Sequence, residues 1–178
     1  MGLSLKAGFY YFLSTIIAMQ KQLRAMLDTN VYDLLLEKGA LDRIEGLVLN
    51  DELVVYGCKV VRDELRNTPK IRKYGGKSLR ALLLSTYDRL VSGKRSYPVG
   101  SEIEALAKEY LSAYSGGIPR NKILPDFKIV ATATIHRLDI IVSGDDRTMK
   151  SGPAKRAYGK VNAEKFYPNP GFIKLEEL

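Results

Sequence analysis

The chain has 178 residues, 46% of them hydrophobic and 27% charged, which suits one compact domain and is too apolar for a disordered segment. Its 28 Lys and Arg against 20 Asp and Glu leave a formal charge of +8, and that balance favours a polyanionic partner. One cysteine, Cys58, and one histidine, His136, exclude an internal disulfide, a Cys-rich zinc site and any multi-histidine metal site, so carboxylates are left to carry metal binding or acid–base work.

The longest uncharged stretch, AGFYYFLSTIIAMQ at residues 7–20, falls short of the ~17–25 residues a membrane-spanning helix needs. It has the apolar core of a weak signal peptide, but no small-x-small site follows it. It reads instead as an N-terminal helical or packing extension over residues 1–20, ahead of a single domain over residues 21–178. With no need for an oxidising compartment, the expected location is cytoplasmic.

QLRAML (22–27) predicts a short strand ending at Asp28, then a helix from about Val31 to Lys38 that Gly39 stops. A second helix from about Leu41 to Asn50 precedes the β-branched and aromatic strand LVVYG (53–57) and a helix over CKVVRDELR (58–66). KSLRALLLSTYDRLV (77–91) and SEIEALAKEYLSAY (101–114) read as two successive helices separated by a Tyr97-Pro98 turn. Ser101 with Glu104 has the form of a capping box at the start of the second, and Gly116-Gly117 supplies its end. Asp126 opens a helix over DFKIVATATIH (126–136), LDIIV (138–142) is a strand, and Ser151-Gly152-Pro153 begins a turn. One-sided helices alternating with near-continuous apolar strands predict an α/β fold, a small, mainly parallel sheet covered on both faces.

Three carboxylates share a local logic: Asp28 and Asp145 follow apolar strands, and Asp126 opens a helix. In open α/β sheets the carboxyl ends of strands and the helix starts beside them gather on one rim, where ligands bind. Glu64 lies on the helical arc of Val60, Val61 and Leu65, a charge among apolar neighbours that needs a partner. Carboxylates crowded at one rim raise each other's pKa unless a cation offsets them, and an all-oxygen set favours Mg²⁺ or Mn²⁺ over zinc. Each acid alone has a plainer reading. Asp28 could cap the Val31 helix, Asp126 could be a first-turn charge, Asp145 a turn residue, and Glu64 could pair with Arg24 or Lys59 or reach water.

Four ordered pieces carry a family resemblance: MLDTN at 26–30, VVRDEL at 60–65, PDFKIVATA at 125–133 and IIVSGDD at 140–146. Together they resemble the PIN domain, the fold of metal-dependent nucleases that includes VapC-type toxin ribonucleases and archaeal PIN domain proteins. The resemblance covers roughly residues 21–173 and implies a Rossmann-like three-layer α/β/α fold of about five strands. It implies Asp28, Glu64, Asp126 and Asp145 as catalytic and metal-binding residues, with Thr29, Asn30 and Ser143 in support. Where the family often carries another acid and an aromatic, this chain has Arg147, Thr148 and Met149, and Asp146 is the candidate to replace the missing acid. Family membership further implies RNA cleavage with Mg²⁺ or Mn²⁺, frequent homodimers and, for a toxin, an antitoxin protein.

Basic residues recur near the turns, and Lys73, Lys77, Arg147 and Lys150 are the candidates to hold RNA phosphates, contacts that position a strand without specifying bases. The tyrosines show no stacking-sheet spacing, and most read as half-buried packing or interface residues. His136 reads as a helix C-terminal residue and Cys58 as a small core residue. The expected function is a metal-dependent endoribonuclease, toxin-type or RNA-processing; the alternative is a non-catalytic PIN-like module for RNA binding or protein assembly.

Overall fold

The computed structural model describes residues 22–178, so the extension expected over residues 1–20 lies outside the described residues. Strand β1 (Leu23–Leu27) leads into helix α1 (Thr29–Glu37), then α2 (Leu41–Leu49), β2 (Leu53–Cys58) and α3 (Lys59–Asn67). A two-residue hairpin, β3 (Lys73–Tyr74) with β4 (Lys77–Ser78), precedes α4 (Leu79–Leu90), β5 (Ser96–Tyr97) and α5 (Ser101–Ala113). The chain closes with α6 (Arg120–Ile135), β6 (Ile140–Val142), α7 (Gly152–Lys165) and β7 (Gly171–Ile173).

Five strands form one sheet in the order β5-β2-β1-β6-β7, with every neighbouring pair parallel, in a three-layer α/β/α arrangement. Ala25, Met26 and Leu27 are fully buried, as a central strand covered on both faces requires. From β1 the chain runs outward to β2 on one side and returns later to β6 on the other. The crevice between the carboxyl ends of β1 and β6 is thus the topological switch point, the place where such sheets bind ligands.

The predicted order of elements holds from β1 to α3 within two residues, and Gly39 takes the left-handed conformation (φ +61) just past α1. Later elements depart in instructive ways. Residues 77 and 78 are not helical: they pair with Lys73 and Tyr74 around Gly75-Gly76, both at positive φ, and Ser78 caps α4 by accepting from the Ala81 N–H. The capping box at Ser101 does not form. Gly100 is the N-cap, and Glu104 instead accepts a charge-assisted bond from Lys128 Nζ at 2.7 Å, a stronger partner than a backbone amide.

Helix α5 ends at Ala113, before the glycines, because Tyr114 turns extended and folds its ring over Gly116, where a Cβ would lie 2.1 Å from the Tyr114 hydroxyl. Helix α6 begins at Arg120, so Pro125 lies inside it and Asp126 sits in its second turn rather than at its start. The turn expected at Ser151 is the first turn of α7, with Ser151 as its cap and Pro153 in the positions a proline tolerates. The half-buried reading of the tyrosines also fails for Tyr32, Tyr87 and Tyr110, which are fully buried. Two of their hydroxyls are satisfied inside: Tyr87 pairs with Ser96 Oγ at 2.7 Å and Tyr110 donates to Asn162 Oδ1 at 2.6 Å.

Candidate functional site

Asp28 stands at the carboxyl end of β1, 5% exposed. Its backbone N–H donates to Val142 O at 3.0 Å, which locks the end of β1 against the end of β6. Its carboxylate accepts from Thr29 N at 2.7 Å, from Ser143 Oγ at 2.7 Å and from Asn30 Nδ2. Burial pushes the Asp28 carboxyl above its usual range, and these three donors pull it part of the way back.

The supporting residues form a continuous tie across the switch point. Asn30 Oδ1 accepts from Gly144 N at 3.0 Å, and Ser143 Oγ accepts from Asp145 N at 3.0 Å while donating to Asp28. Thr29 reaches the other way and donates its hydroxyl to Glu64. Neither cation considered for Glu64 pairs with it: Lys59 goes to Asp63, and Arg24 donates to the carbonyls of Arg137 and His136. Burial raises the Glu64 carboxyl, with the charge of Asp28 adding to it.

Asp126 shows the largest effect among the four. Burial pushes it up to about 7 against an opposing bond from Thr148, and the charges of Asp28, Asp145 and Glu64 raise it further. Asp145 goes the other way. Burial raises it, but the Thr148 hydroxyl and the backbone amides of Thr148 (2.9 Å) and Arg147 (2.8 Å) donate to it and leave it below its ordinary value.

Four carboxylates from four separate segments are therefore close enough to act on one another electrostatically. Among the described residues, none of the four forms an ion pair with lysine or arginine. Comparison with protein-family models, curated proteins and solved structures finds no match to this chain. The reading of the site thus rests on its own chemistry.

The four donors are all oxygen and suit a hard divalent cation such as Mg²⁺ or Mn²⁺; Cys58, the sulfur near Glu64 and Asp28, is buried and held protonated. The positions are less closed than the chemistry. Among the described residues no three Asp, Glu, His or Cys side chains stand close enough to hold one ion. Asp28, Glu64 and Asp145 each accept from protein donors as they stand, which orients their carboxylates without using up all their lone pairs.

Asp146 does not join the four. It points to Lys150 at 3.0 Å and Lys174 at 3.5 Å on the exposed side of the loop. The same pair removes Lys150 from the phosphate candidates, since its side chain is 6% exposed and committed to Asp146. Lys73 and Lys77 lie on the β3–β4 hairpin, where Tyr74 donates its hydroxyl to Leu36 O at 2.9 Å. Leu36 is at the far end of the helix that Asp28 starts, about 12 Å along its axis, so the hairpin is anchored away from Asp28. Arg147 alone of the four stays exposed beside Asp145.

The residue that sequence reasoning missed is Thr148, whose hydroxyl donates to Asp145 and acts on Asp126. The Asp-x-x-Thr spacing after a glycine turn is its signal, a self-closing turn in which the aspartate accepts from the residues that follow. His136 and Cys58 play the parts expected of them. His136 caps α6 and stacks on Tyr97 with ring centroids 3.5 Å apart, and Cys58 is buried with its thiol pushed up to about 12 by burial. Among the described residues no helix is long and apolar enough to cross a membrane.

Proposed function

We propose that this chain is a divalent-metal-dependent endoribonuclease of the PIN type, with Asp28, Glu64, Asp126 and Asp145 as its catalytic and metal-binding carboxylates. The observation that carries the reading is the set of four mutually repelling carboxylates at the β1/β6 switch point, left without a cationic partner among the described residues of a chain with surplus positive charge. Such a set is unfavourable by itself and becomes favourable around a cation. A bound Mg²⁺ or Mn²⁺ supplies Lewis acidity, offsetting phosphoryl charge and making water a better nucleophile.

The protein's own groups divide the remaining work. Thr29, Asn30 and Ser143 hold Asp28 in one orientation, and Thr148 does so for Asp145. Burial pushes Asp126 up to about 7 without metal, so a bound cation would favour the charged form that burial disfavours. Arg147 is the cation available to steer a phosphate toward this rim. A homodimer, and an antitoxin partner if the chain is a toxin, belong to the same proposal.

The test is cleavage of single-stranded and structured RNA by the purified protein with Mg²⁺ or Mn²⁺. Activity should vanish with EDTA and in Asp126→Asn and Asp28→Asn. Cleavage unchanged by EDTA or by these substitutions would overturn the mechanism. A second reading, a non-catalytic PIN-like module for RNA binding or assembly, is favoured by one observation: the carboxylates are satisfied by protein donors and do not close on an ion as they stand. Metal-independent RNA affinity without cleavage would select it.

A further inference from the structure

Glu64 belongs to two places at once. Besides facing Thr29 and Asp28, it forms part of the wall of a cleft of about 300 Å³ between α3 and α6. Val60, Leu124 and Pro125 give that cleft its aliphatic part. Its charged groups are largely spoken for: Asp63 is paired with Lys59 and Arg66, and Lys128 with Glu104.

The polar groups left over are two primary amides, Asn67 at the end of α3 and Asn121 in the first turn of α6. Both are exposed, and neither amide side chain has a hydrogen-bond partner among the described residues. Pro125 adds an acceptor, because it lacks the N–H that would otherwise bond the Asn121 carbonyl within the helix. With two amides that both donate and accept beside an aliphatic part, and with the acids Asp63 and Glu64 in its wall, the cleft is poorly made for a phosphate. It matches a flat heterocycle whose edge carries donors and acceptors, that is, a nucleobase.

We propose that the α3–α6 cleft is a subsite for one unpaired RNA base next to the phosphodiester that is cut, with Asn67 and Asn121 as specificity-determining residues that read the base edge. This rests on the nuclease reading for the identity of the neighbouring phosphate. A base still in a duplex cannot enter the slot, so the substrate segment is single-stranded at the cut.

The experiment uses the full chain, Asn67→Ala, Asn121→Ala and the double variant. Unchanged thermal melting is the check on folding, which these exposed side chains should pass. Cut ends from a randomised single-stranded RNA are mapped with Mn²⁺, and base-dependent binding of short homopolymeric oligonucleotides to Asp126→Asn, with and without the two Asn changes, is followed by fluorescence anisotropy. The expected result is a base preference at one position beside the cut that falls roughly tenfold in the double variant, with the same loss of base discrimination in binding. Cleavage whose base preference survives both substitutions would overturn the subsite and leave the nuclease intact. If the unmodified protein cuts no RNA, the nuclease reading fails by itself and anisotropy decides the cleft: discrimination lost with the amides supports a base site, and equal binding of all four homopolymers, or none, removes it.

Discussion

The carboxylates of this protein live in two different worlds. On the outer faces, Asp63, Glu104, Asp146 and Glu176 each bond a lysine, and those bonds hold their carboxyls below the usual range. At the switch point between β1 and β6, Asp28, Glu64 and Asp126 are pushed upward, chiefly by burial, and then by one another. Asp145 lies between the two, lowered by hydroxyl and amide donors rather than by a cation. The chain has 28 basic residues against 20 acidic ones, so the rim is not short of cations for want of supply. Among the described residues none of the four rim acids pairs with lysine or arginine, and that sets them apart from these surface ones.

The sharpest way to break the comparison is catalytic. Asp126→Asn and Asp28→Asn should each lower metal-dependent RNA cleavage by roughly 10²–10⁴-fold, the range for losing a positioned acid–base group, whereas Glu176→Gln should leave the rate within about twofold. A rim variant that keeps its rate would erase the distinction. Asp28→Asn should also melt earlier, because the new amide presents donors to Asn30 Nδ2 or Thr29 N where the carboxylate accepted them.

Next in size is the response to metal. Millimolar Mn²⁺ near a hundredfold excess over its dissociation constant should raise the melting temperature by about 5–10 °C at neutral pH. Asp126→Asn should blunt that shift, and equal shifts in both proteins would place the ion elsewhere.

The metal-free protein supplies a smaller effect with a definite sign. Burial pushes the Asp126 carboxyl up to about 7 in the folded protein, against about 3.9 for an aspartate in an unfolded chain. Between those limits the folded state binds the extra proton, so this residue's contribution to stability is fully present at low pH and is lost as pH rises through about 7. In EDTA, melting should therefore fall by roughly 3–6 °C between pH 5 and 7.5 after allowance for partial exposure. Asp126→Asn should flatten that slope and melt higher than the unmodified protein at pH 7.5; a slope unchanged in the variant would assign the proton to another group. The smallest effect belongs to the outer world: Asp63→Asn, which breaks exposed pairs with Lys59 and Arg66, should shift melting by less than about 2 °C in differential scanning calorimetry.

Much of the fold was legible because its signals are local. The buried run of β1 stops at Asp28, which bonds the next amide as a helix cap does, and Gly39 ends the helix with a positive φ. Helix α3 puts Val61 and Leu65 inside and Glu64 at their margin, as its periodicity foretold. The misread stretches are those whose local signal was outbid from afar. Ser101 and Glu104 spell a capping box, yet Lys128 on another helix takes the glutamate. Lys77 and Ser78 have helical neighbours but are drawn into a hairpin by two glycines at positive φ.

For the site, the four acids could be singled out from residue type and place along the chain, while Thr29, Asn30 and Ser143 came only from the resemblance. Thr148 could not be weighted, and the pairing of Lys150 with Asp146 was not legible in the chain.

By itself, then, the sequence determined the elements from β1 to α3 and that Asp28 and Asp145 follow apolar strands. Tertiary structure alone decided that β6 returns beside β1 and brings Asp145 to Asp28 through Ser143, that Thr29 meets Glu64, and that Asp126 lies a full turn inside its helix rather than at its mouth. The physical reason is range. Capping, glycine conformation and apolar periodicity act over a few residues and are written in the chain, whereas burial and mutual repulsion of charges depend on which distant segments the crossovers bring together.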